Sequence, residues 1–150
     1  MIKISLLTGI EYSIYRRSRQ DPFFPINFFS KDLKKNNFYF KSFLNHKKLL
    51  KNKHEILILP NRYFYNRNFT IESVKNLLEK LRKVSKKIIW FDMADSTGSF
   101  DFELIDLVDI FWKKQILKDK DYYLNMIENN GVRNWIIDKN YSLNEGFLGI

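Results

Sequence analysis

The sequence predicts an α/β protein built on a Rossmann-like, doubly wound parallel sheet, with three layers in the order α/β/α. Segments with strand-like patterns alternate with segments of helical periodicity along the 150 residues. Two runs, Ile56–Leu59 and Ile88–Phe91, are apolar at every position, which is typical of strands covered on both faces. Thr70–Ser85 places an apolar stripe on one helical face between them. We therefore expect one domain over residues 1–150, with at least five parallel strands and these two runs central.

The other elements are predicted from shorter patterns. Ile2, Ile4 and Leu6 alternate in a first strand that stops at Thr8-Gly9. A helix is expected to begin just after Pro25, because proline suits a first helical turn. Its apolar stripe includes Phe29, so we expect the neighbouring phenylalanines to lie in the core. Further predicted elements are a strand at Phe38–Phe43, a weak helix around Asn45–Lys51, a strand at Leu107–Trp112 and a helix at Gln115–Ile127.

Composition limits the class of protein. Hydrophobic residues make up 45% of the chain, which is enough for a core and argues against disorder. Cysteine is absent, which excludes disulfides and cysteine-ligated metals and suits a reducing compartment. The alternating pattern starts at once, without a signal peptide, and no apolar run approaches the roughly 18 residues of a spanning helix. We expect a cytoplasmic protein, peripheral to the inner face of a membrane if it meets one.

The net charge of +9 is unevenly distributed. Residues 1–91 carry 20 Lys and Arg against 6 Asp and Glu, whereas residues 92–150 carry 6 against 11. Of the 26 basic residues 19 are lysine, a bias that a coding preference alone would produce. The basic half is also able to attract phosphates or anionic lipid headgroups.

Ligands of open parallel sheets bind beyond the carboxyl ends of the strands. That rule selects the loops at Thr8–Gln20, Pro60–Arg67, Asp92–Phe100 and Lys113-Lys114. Gly9 is the single glycine in its loop, so the glycine-rich dinucleotide fingerprint is absent. Gly9 marks either a tight turn or a phosphate- or sugar-binding loop. The substrate-binding candidates in these loops are Gly9, Tyr12, Arg16, Arg19, Ser96 and Lys113.

Two carboxylates, Asp92 and Asp95, follow the fourth strand. They are the catalytic candidates, because a strand-end carboxylate can serve as a general base or bind sugar hydroxyls. The simpler alternative is that Asp95 caps the next turn and Asp92 binds loop amides. We expect Asp92 to be the functional acid, exposed in a cleft that Gly9 also faces. His46 and His54 have no metal-ligand spacing, so no metal site and no cofactor is expected.

Asp92 and Lys113 also invite comparison with phosphorylated receiver domains, which carry an aspartate and a lysine at strand ends. Those domains need acidic residues directly after the first strand, where this chain has Thr8-Gly9-Ile10. Their aspartate also follows the third strand. The receiver interpretation is therefore rejected.

Two segments resemble a known family. They are residues 88–96, with the sequence IIWFDMADS, and residues 107–119, with the sequence LVDIFWKKQILKD. Together with Asp21-Pro22-Phe23-Phe24-Pro25, they resemble the amino-terminal domain of bacterial glycosyltransferases of the GT-B architecture that build surface polysaccharides and lipopolysaccharide. The likeness spans most of the chain. It implies a domain that binds the acceptor, either a glycan or a lipid-linked sugar, and often meets the membrane. A nucleotide-sugar donor would be bound mostly by a second domain.

That second domain is expected to be absent here, because the chain ends at Gly149-Ile150 without a closing helix. The isolated chain is then expected to catalyse no transfer. The alternative function is a basic module that binds nucleic acid. Scarce arginine, the acidic second half and the lack of a recognisable motif argue against it. A GT-A transferase with a D-x-D metal site is not expected, because Asp92 and Asp95 have one residue too many between them.

Overall fold

The computed structural model describes residues 1–9, 23–93 and 101–113. Its five strands form one sheet in which all pairings are parallel, in the order β2-β1-β3-β4-β5. The predicted parallel α/β class is confirmed, and β3 and β4, which contain Ile56–Leu59 and Ile88–Phe91, are central. The strands are β1 Ile2–Leu7, β2 Phe38–Phe43, β3 His54–Pro60, β4 Ser85–Asp92 and β5 Ile110–Lys113.

Helices connect these strands, and among those described only Ile71–Arg82 is longer than six residues. Within the described ranges the α-helices are α1 Phe24–Phe28, α2 Ser30–Lys35, α3 His46–Leu49, α4 Asn61–Tyr65 and α5 Ile71–Arg82, and a 3₁₀ helix spans Phe102–Leu107. None of the described helices is long and apolar enough to cross a membrane.

The strand order places a topological switch point between β1 and β3. In the order 2-1-3-4-5, the connections leave these two neighbouring strands in opposite directions, and ligands of such sheets bind beyond the carboxyl ends at this point. Gly9 lies at this end of β1 with a φ of 71°, in the left-handed region that glycine occupies without steric cost. Pro60 ends the neighbouring strand β3.

Alternate residues of the central strands point to opposite faces, as strand geometry requires. Leu57, Leu59, Ile88 and Trp90 belong to the larger core, which packs against α5 through its buried residues Val74, Leu77, Leu78 and Leu81. Leu6 and Ile58 belong to a second core on the other face, together with the buried Phe23. The apolar runs are therefore strands with a core on each face.

Helix α5 begins where the sequence predicts. The Thr70 side chain accepts a hydrogen bond from the backbone N–H of Ser73, at 3.2 Å, and thereby satisfies one unpaired donor of the first turn. Glu72 lies in that turn and Lys80 and Arg82 in the last one, which is the favourable distribution of charge along the helix dipole.

Three predictions about the helices and their side chains are wrong. The single helix expected after Pro25 is broken at Phe29 into α1 and α2. Phe28 and Phe29, expected in the core, are 67% and 52% exposed, whereas Phe23 is buried. The segment interpreted as a loop after Pro60 contains α4, whose residues Tyr63 and Phe64 are buried. Tertiary packing, rather than helix periodicity, stabilises α4, because five residues are too few for an isolated helix.

Candidate functional site

The carboxyl ends of β3, β4 and β5 share a buried polar network. The ammonium group of Lys113 donates to Asp92 Oδ2 at 2.9 Å, and the Asn61 amide donates to Asp92 Oδ1 at 2.6 Å. Only 2% of the Lys113 side chain and 1% of the Asp92 side chain are exposed. Asn61 is also buried. Each oxygen of this carboxylate therefore has a strong donor, as a buried charge requires.

Local structure explains why these three residues meet. Asp92 and Lys113 are the last residues of β4 and β5 and pair directly in the parallel register. Asn61 is the first residue of α4, immediately after β3. Its side-chain oxygen accepts a hydrogen bond from the backbone N–H of Met93 at 3.0 Å. Asn61 thus connects the ends of β3 and β4, and Lys113 extends the connection to β5.

A second carboxylate, Asp101, lies beside this network. The Trp90 indole N–H donates to Asp101 Oδ2 at 3.0 Å, and the Tyr65 hydroxyl donates to Oδ1. Burial raises the pKa of Asp101, and the neighbouring charge of Asp92 raises it further, whereas the two hydrogen bonds lower it. Burial and the contact with Asp101 also raise the pKa of Tyr65, so its phenol keeps its proton.

The two carboxylates differ in access to solvent. The side chain of Asp92 is closed off by Asn61 and Lys113, whereas Asp101 is half-buried and Tyr65 is 50% exposed. Asp92 was expected to be an exposed cleft carboxylate, and that expectation is wrong. Asp101, with its raised pKa, is the better placed of the two to accept a proton or a hydroxyl hydrogen bond from a ligand.

The structure places three of the predicted site residues. Asp92 and Lys113 are brought together, and Gly9 lies at the end of β1. Strand β3 separates β1 from β4, so the ends of these two strands are about 10 Å apart, twice the spacing of neighbouring strands. The other predicted site residues lie outside the described residues: Tyr12, Arg16, Arg19, Asp95 and Ser96.

Sequence reasoning missed Asn61, Tyr65 and Asp101. Asn61 had a usable signal, because a polar residue directly after a buried strand lies at the sheet edge that binds ligands. Tyr65 follows four positions later, on the same face of a helix, but that helix was interpreted as a loop. Asp101 had no signal, since its partners are 36 and 11 positions away.

Both histidines form internal hydrogen bonds. His54 is buried, and its ring contacts the Ser5 hydroxyl at 2.8 Å and the carbonyl of Leu49 at 2.9 Å. The His46 ring contacts the hydroxyl of Tyr63 at 3.0 Å. Burial and the charges of Lys47 and Arg67 lower the pKa of His46. Among the described residues, no group of three or more His, Cys, Asp or Glu side chains is arranged to hold a metal ion.

Comparison of the chain with protein-family models, with curated proteins and with solved structures gave no match.

Proposed function

We propose that the chain is the acceptor-binding domain of a glycosyltransferase that transfers a sugar from a nucleotide-sugar to a glycan or lipid-linked acceptor. The observation that carries the proposal is the half-buried Asp101 with the exposed Tyr65 beside it, at the edge of a parallel sheet where ligands bind. The class of ligand comes from the resemblance of residues 88–96 and 107–119 to such enzymes.

The chemistry of these two residues suits a sugar. A carboxylate accepts charge-assisted hydrogen bonds from hydroxyl groups, and these bonds are roughly twice as strong as neutral ones. An exposed phenol ring offers an apolar face to the C–H groups of a pyranose. In this proposal Asp101 and Tyr65 contact the acceptor. Asp92, Asn61 and Lys113 hold the ends of the strands in position beneath them.

A basic nucleic-acid-binding module remains the competing function. Two of the described arginines form contacts within the chain. Arg82 contacts Asp109 at 2.6 Å, and the Arg67 guanidinium lies over the Tyr63 ring, 4.0 Å from its centroid. Arginine is the residue that most often reads guanine bases, and these two are engaged elsewhere. This arrangement favours the acceptor-binding function.

Chemical-shift mapping tests the proposal on the chain itself. We expect maltotriose, cellotriose or triacetylchitotriose to shift the backbone amides of residues 61–65 and of Asp101, and to leave those of α5 unchanged. Asp101→Asn should weaken that binding by about tenfold, the equivalent of one hydrogen bond to a charged group. Glu103→Gln is the matched control. Glu103 is an exposed carboxylate on the adjacent 3₁₀ helix that pairs with Lys75, and its substitution should have little effect.

Two outcomes would contradict the proposal. One is shifts that map to α5 or to the amino ends of the strands. The other is tighter binding of single-stranded RNA than of any trisaccharide at matched salt, which would favour the nucleic-acid function instead.

A further inference from the structure

In the described part of the chain, the carboxylate of Asp101 is bonded only to neutral donors. The Trp90 indole N–H donates to Oδ2 at 3.0 Å, and the Tyr65 hydroxyl donates to Oδ1. No described lysine or arginine forms a salt bridge with Asp101, and Lys113 is paired with Asp92 instead. A half-buried negative charge at this edge of the sheet therefore has no described cation in contact with it.

Two features of its surroundings oppose the negative charge of Asp101. Burial raises the pKa of this carboxyl most, and the charge of Asp92 raises it too, whereas the hydrogen bonds from Tyr65 and Trp90 and the charge of Lys113 lower it. A cation bound to Asp101 would compensate both effects, because an opposite charge in contact favours the ionised carboxylate. The surroundings of Asp101 consequently favour a cationic ligand over a neutral one.

The phenol ring of Tyr65 also suits a cation. Tyr65 is 50% exposed, and its hydroxyl is bonded to Asp101, so a ligand that reaches Asp101 from solvent lies beside this ring. The face of an aromatic ring attracts an ammonium group through the ring quadrupole. A carboxylate and an exposed aromatic ring thus meet at one point, and both attract the same kind of group.

We propose that the Asp101–Tyr65 site selects acceptors that carry a primary amine, as in a glycan with an unacetylated 2-amino sugar. This inference rests on the proposed acceptor-binding function and adds the class of acceptor. Each carboxylate oxygen accepts more than one hydrogen bond, so Asp101 can accept an ammonium N–H while it keeps its bonds to Tyr65 and Trp90. The amine of such a sugar is attached directly to the pyranose, which packs against the Tyr65 ring while the amine binds Asp101.

Two other cations fit this site less well. A calcium ion takes about six or more oxygen ligands, whereas the oxygens of Asp92 are already bonded to Asn61 and Lys113. The ammonium group of a lysine side chain ends a flexible chain, and ordering that chain costs conformational entropy. The amine of a pyranose is held by a rigid ring and avoids that cost.

A matched pair of trisaccharides tests the selection on the unaltered full chain. The glucosamine trisaccharide and triacetylchitotriose have the same backbone, but the first carries amines where the second carries acetamides. With the amines protonated, we expect calorimetry to show about tenfold tighter binding of the glucosamine trisaccharide, since its bond to Asp101 joins two charged groups. The chain has a net charge of +9, which repels cationic ligands at long range. Tighter binding of the cationic sugar would consequently report a local site.

Substitutions at the two residues separate the carboxylate from the ring. Asp101→Asn should bring the affinities for the two trisaccharides to the same value, whereas Glu103→Gln, the matched control, should keep the tenfold difference. Tyr65→Leu should weaken binding of the glucosamine trisaccharide by about two- to fivefold, the range for an exposed cation–π contact. Tyr65→Phe keeps the aromatic ring and should retain the preference for the amine.

Equal affinities for the two trisaccharides, with chemical shifts at residues 61–65 and Asp101, would overturn the selection and leave the acceptor-binding function standing. Binding of neither trisaccharide at these residues would overturn the selection together with that function. Tighter binding of an acetylated trilysine peptide than of the glucosamine trisaccharide would show that the site binds a protein instead. Because both sugars are compared on the unaltered chain, the result does not depend on how well the variants fold.

Discussion

At the scale of single residues, the Asp92–Lys113 pair is the most informative contact in the molecule. Both side chains are buried and the pair joins the last residues of two neighbouring strands. A buried pair of charges adds little net stability, because desolvation offsets the attraction between them. Removing one partner is different, since the other charge is then buried without compensation.

We therefore expect Asp92→Asn to lower the free energy of unfolding by roughly 3 kcal/mol. Lys113→Met should cost a similar amount, and the double variant should lose less than the sum, because neither buried charge remains. Urea unfolding measures all three values. Asp32→Asn, in an exposed pair with Lys35, is the control and should change stability by about 0.5 kcal/mol or less. A loss below about 1 kcal/mol for Asp92→Asn would show that the pair is not buried as described.

Part of this site could be predicted from the sequence, and the physical reason is clear. Asp92 and Lys113 follow apolar runs directly, so parallel pairing of those runs brings the two residues to one edge of the sheet. Their burial could not be predicted, because it depends on Asn61 closing over Asp92 from a different connection. Asp101 could not be predicted for the same reason, since Tyr65 and Trp90 come from other elements.

At the scale of elements, Asp109, the residue immediately before β5, connects α5, β4 and β5. Its carboxylate accepts the backbone N–H of Ile88 in β4 at 2.7 Å and the Arg82 guanidinium of α5 at 2.6 Å. Its own backbone N–H donates to the carbonyl of Ile88 at 2.9 Å. β5 has only four residues and is the last strand in the order of the sheet. Asp109 therefore supplies hydrogen bonds that hold β5 against β4.

We expect Asp109→Asn to destabilise the protein by about 1–2 kcal/mol, the range for a hydrogen bond to a charged group at a half-exposed site. Amide hydrogen exchange should accelerate at Ile88 and across β5. In Asp106→Asn, a control for an exposed acid on the neighbouring 3₁₀ helix, exchange at Ile88 should stay slow. Unchanged protection of Ile88 in Asp109→Asn would contradict this assignment.

The pH dependence of this contribution has a definite sign. The hydrogen bond from Ile88 and the charge of Arg82 lower the pKa of Asp109 below 3.8. The unfolded chain then binds a proton at higher pH than the native protein, so stability must fall as pH drops below about 4. The difference in stability between the native protein and Asp109→Asn should shrink over that range.

The strands were easier to predict than the short helices, and packing explains the difference. Ile56–Leu59 and Ile88–Phe91 are apolar because each strand has a core on both faces. Helix α5 carries its own cap and stripe. In contrast, α4 is stabilised by burial of Tyr63 and Phe64. The break at Phe29 leaves the rings of Phe28 and Phe29 exposed, although the helical periodicity predicted that they lie in the core. Sequence periodicity indicates which residues are buried only where a helix or strand is long enough for its apolar pattern to repeat.

At the scale of the whole molecule, exposed apolar side chains lie both near the polar network and away from it. The buried network, with Asp101 and Tyr65, lies at the carboxyl ends of β3, β4 and β5. Ile110 and Trp112 are exposed on β5, the strand that also carries Lys113, and Phe28 and Phe29 are exposed on the connection between β1 and β2.

We propose that this chain binds the acceptor rather than the nucleotide-sugar. Isothermal titration calorimetry of the chain against the three trisaccharides and against uridine-diphosphate glucose tests it most directly. We predict saturable heat with at least one trisaccharide, with affinity about tenfold weaker in Asp101→Asn, and no measurable heat with the nucleotide-sugar. Binding of the nucleotide-sugar at micromolar concentration, with no heat from any trisaccharide, would show instead that this chain is a donor-binding domain.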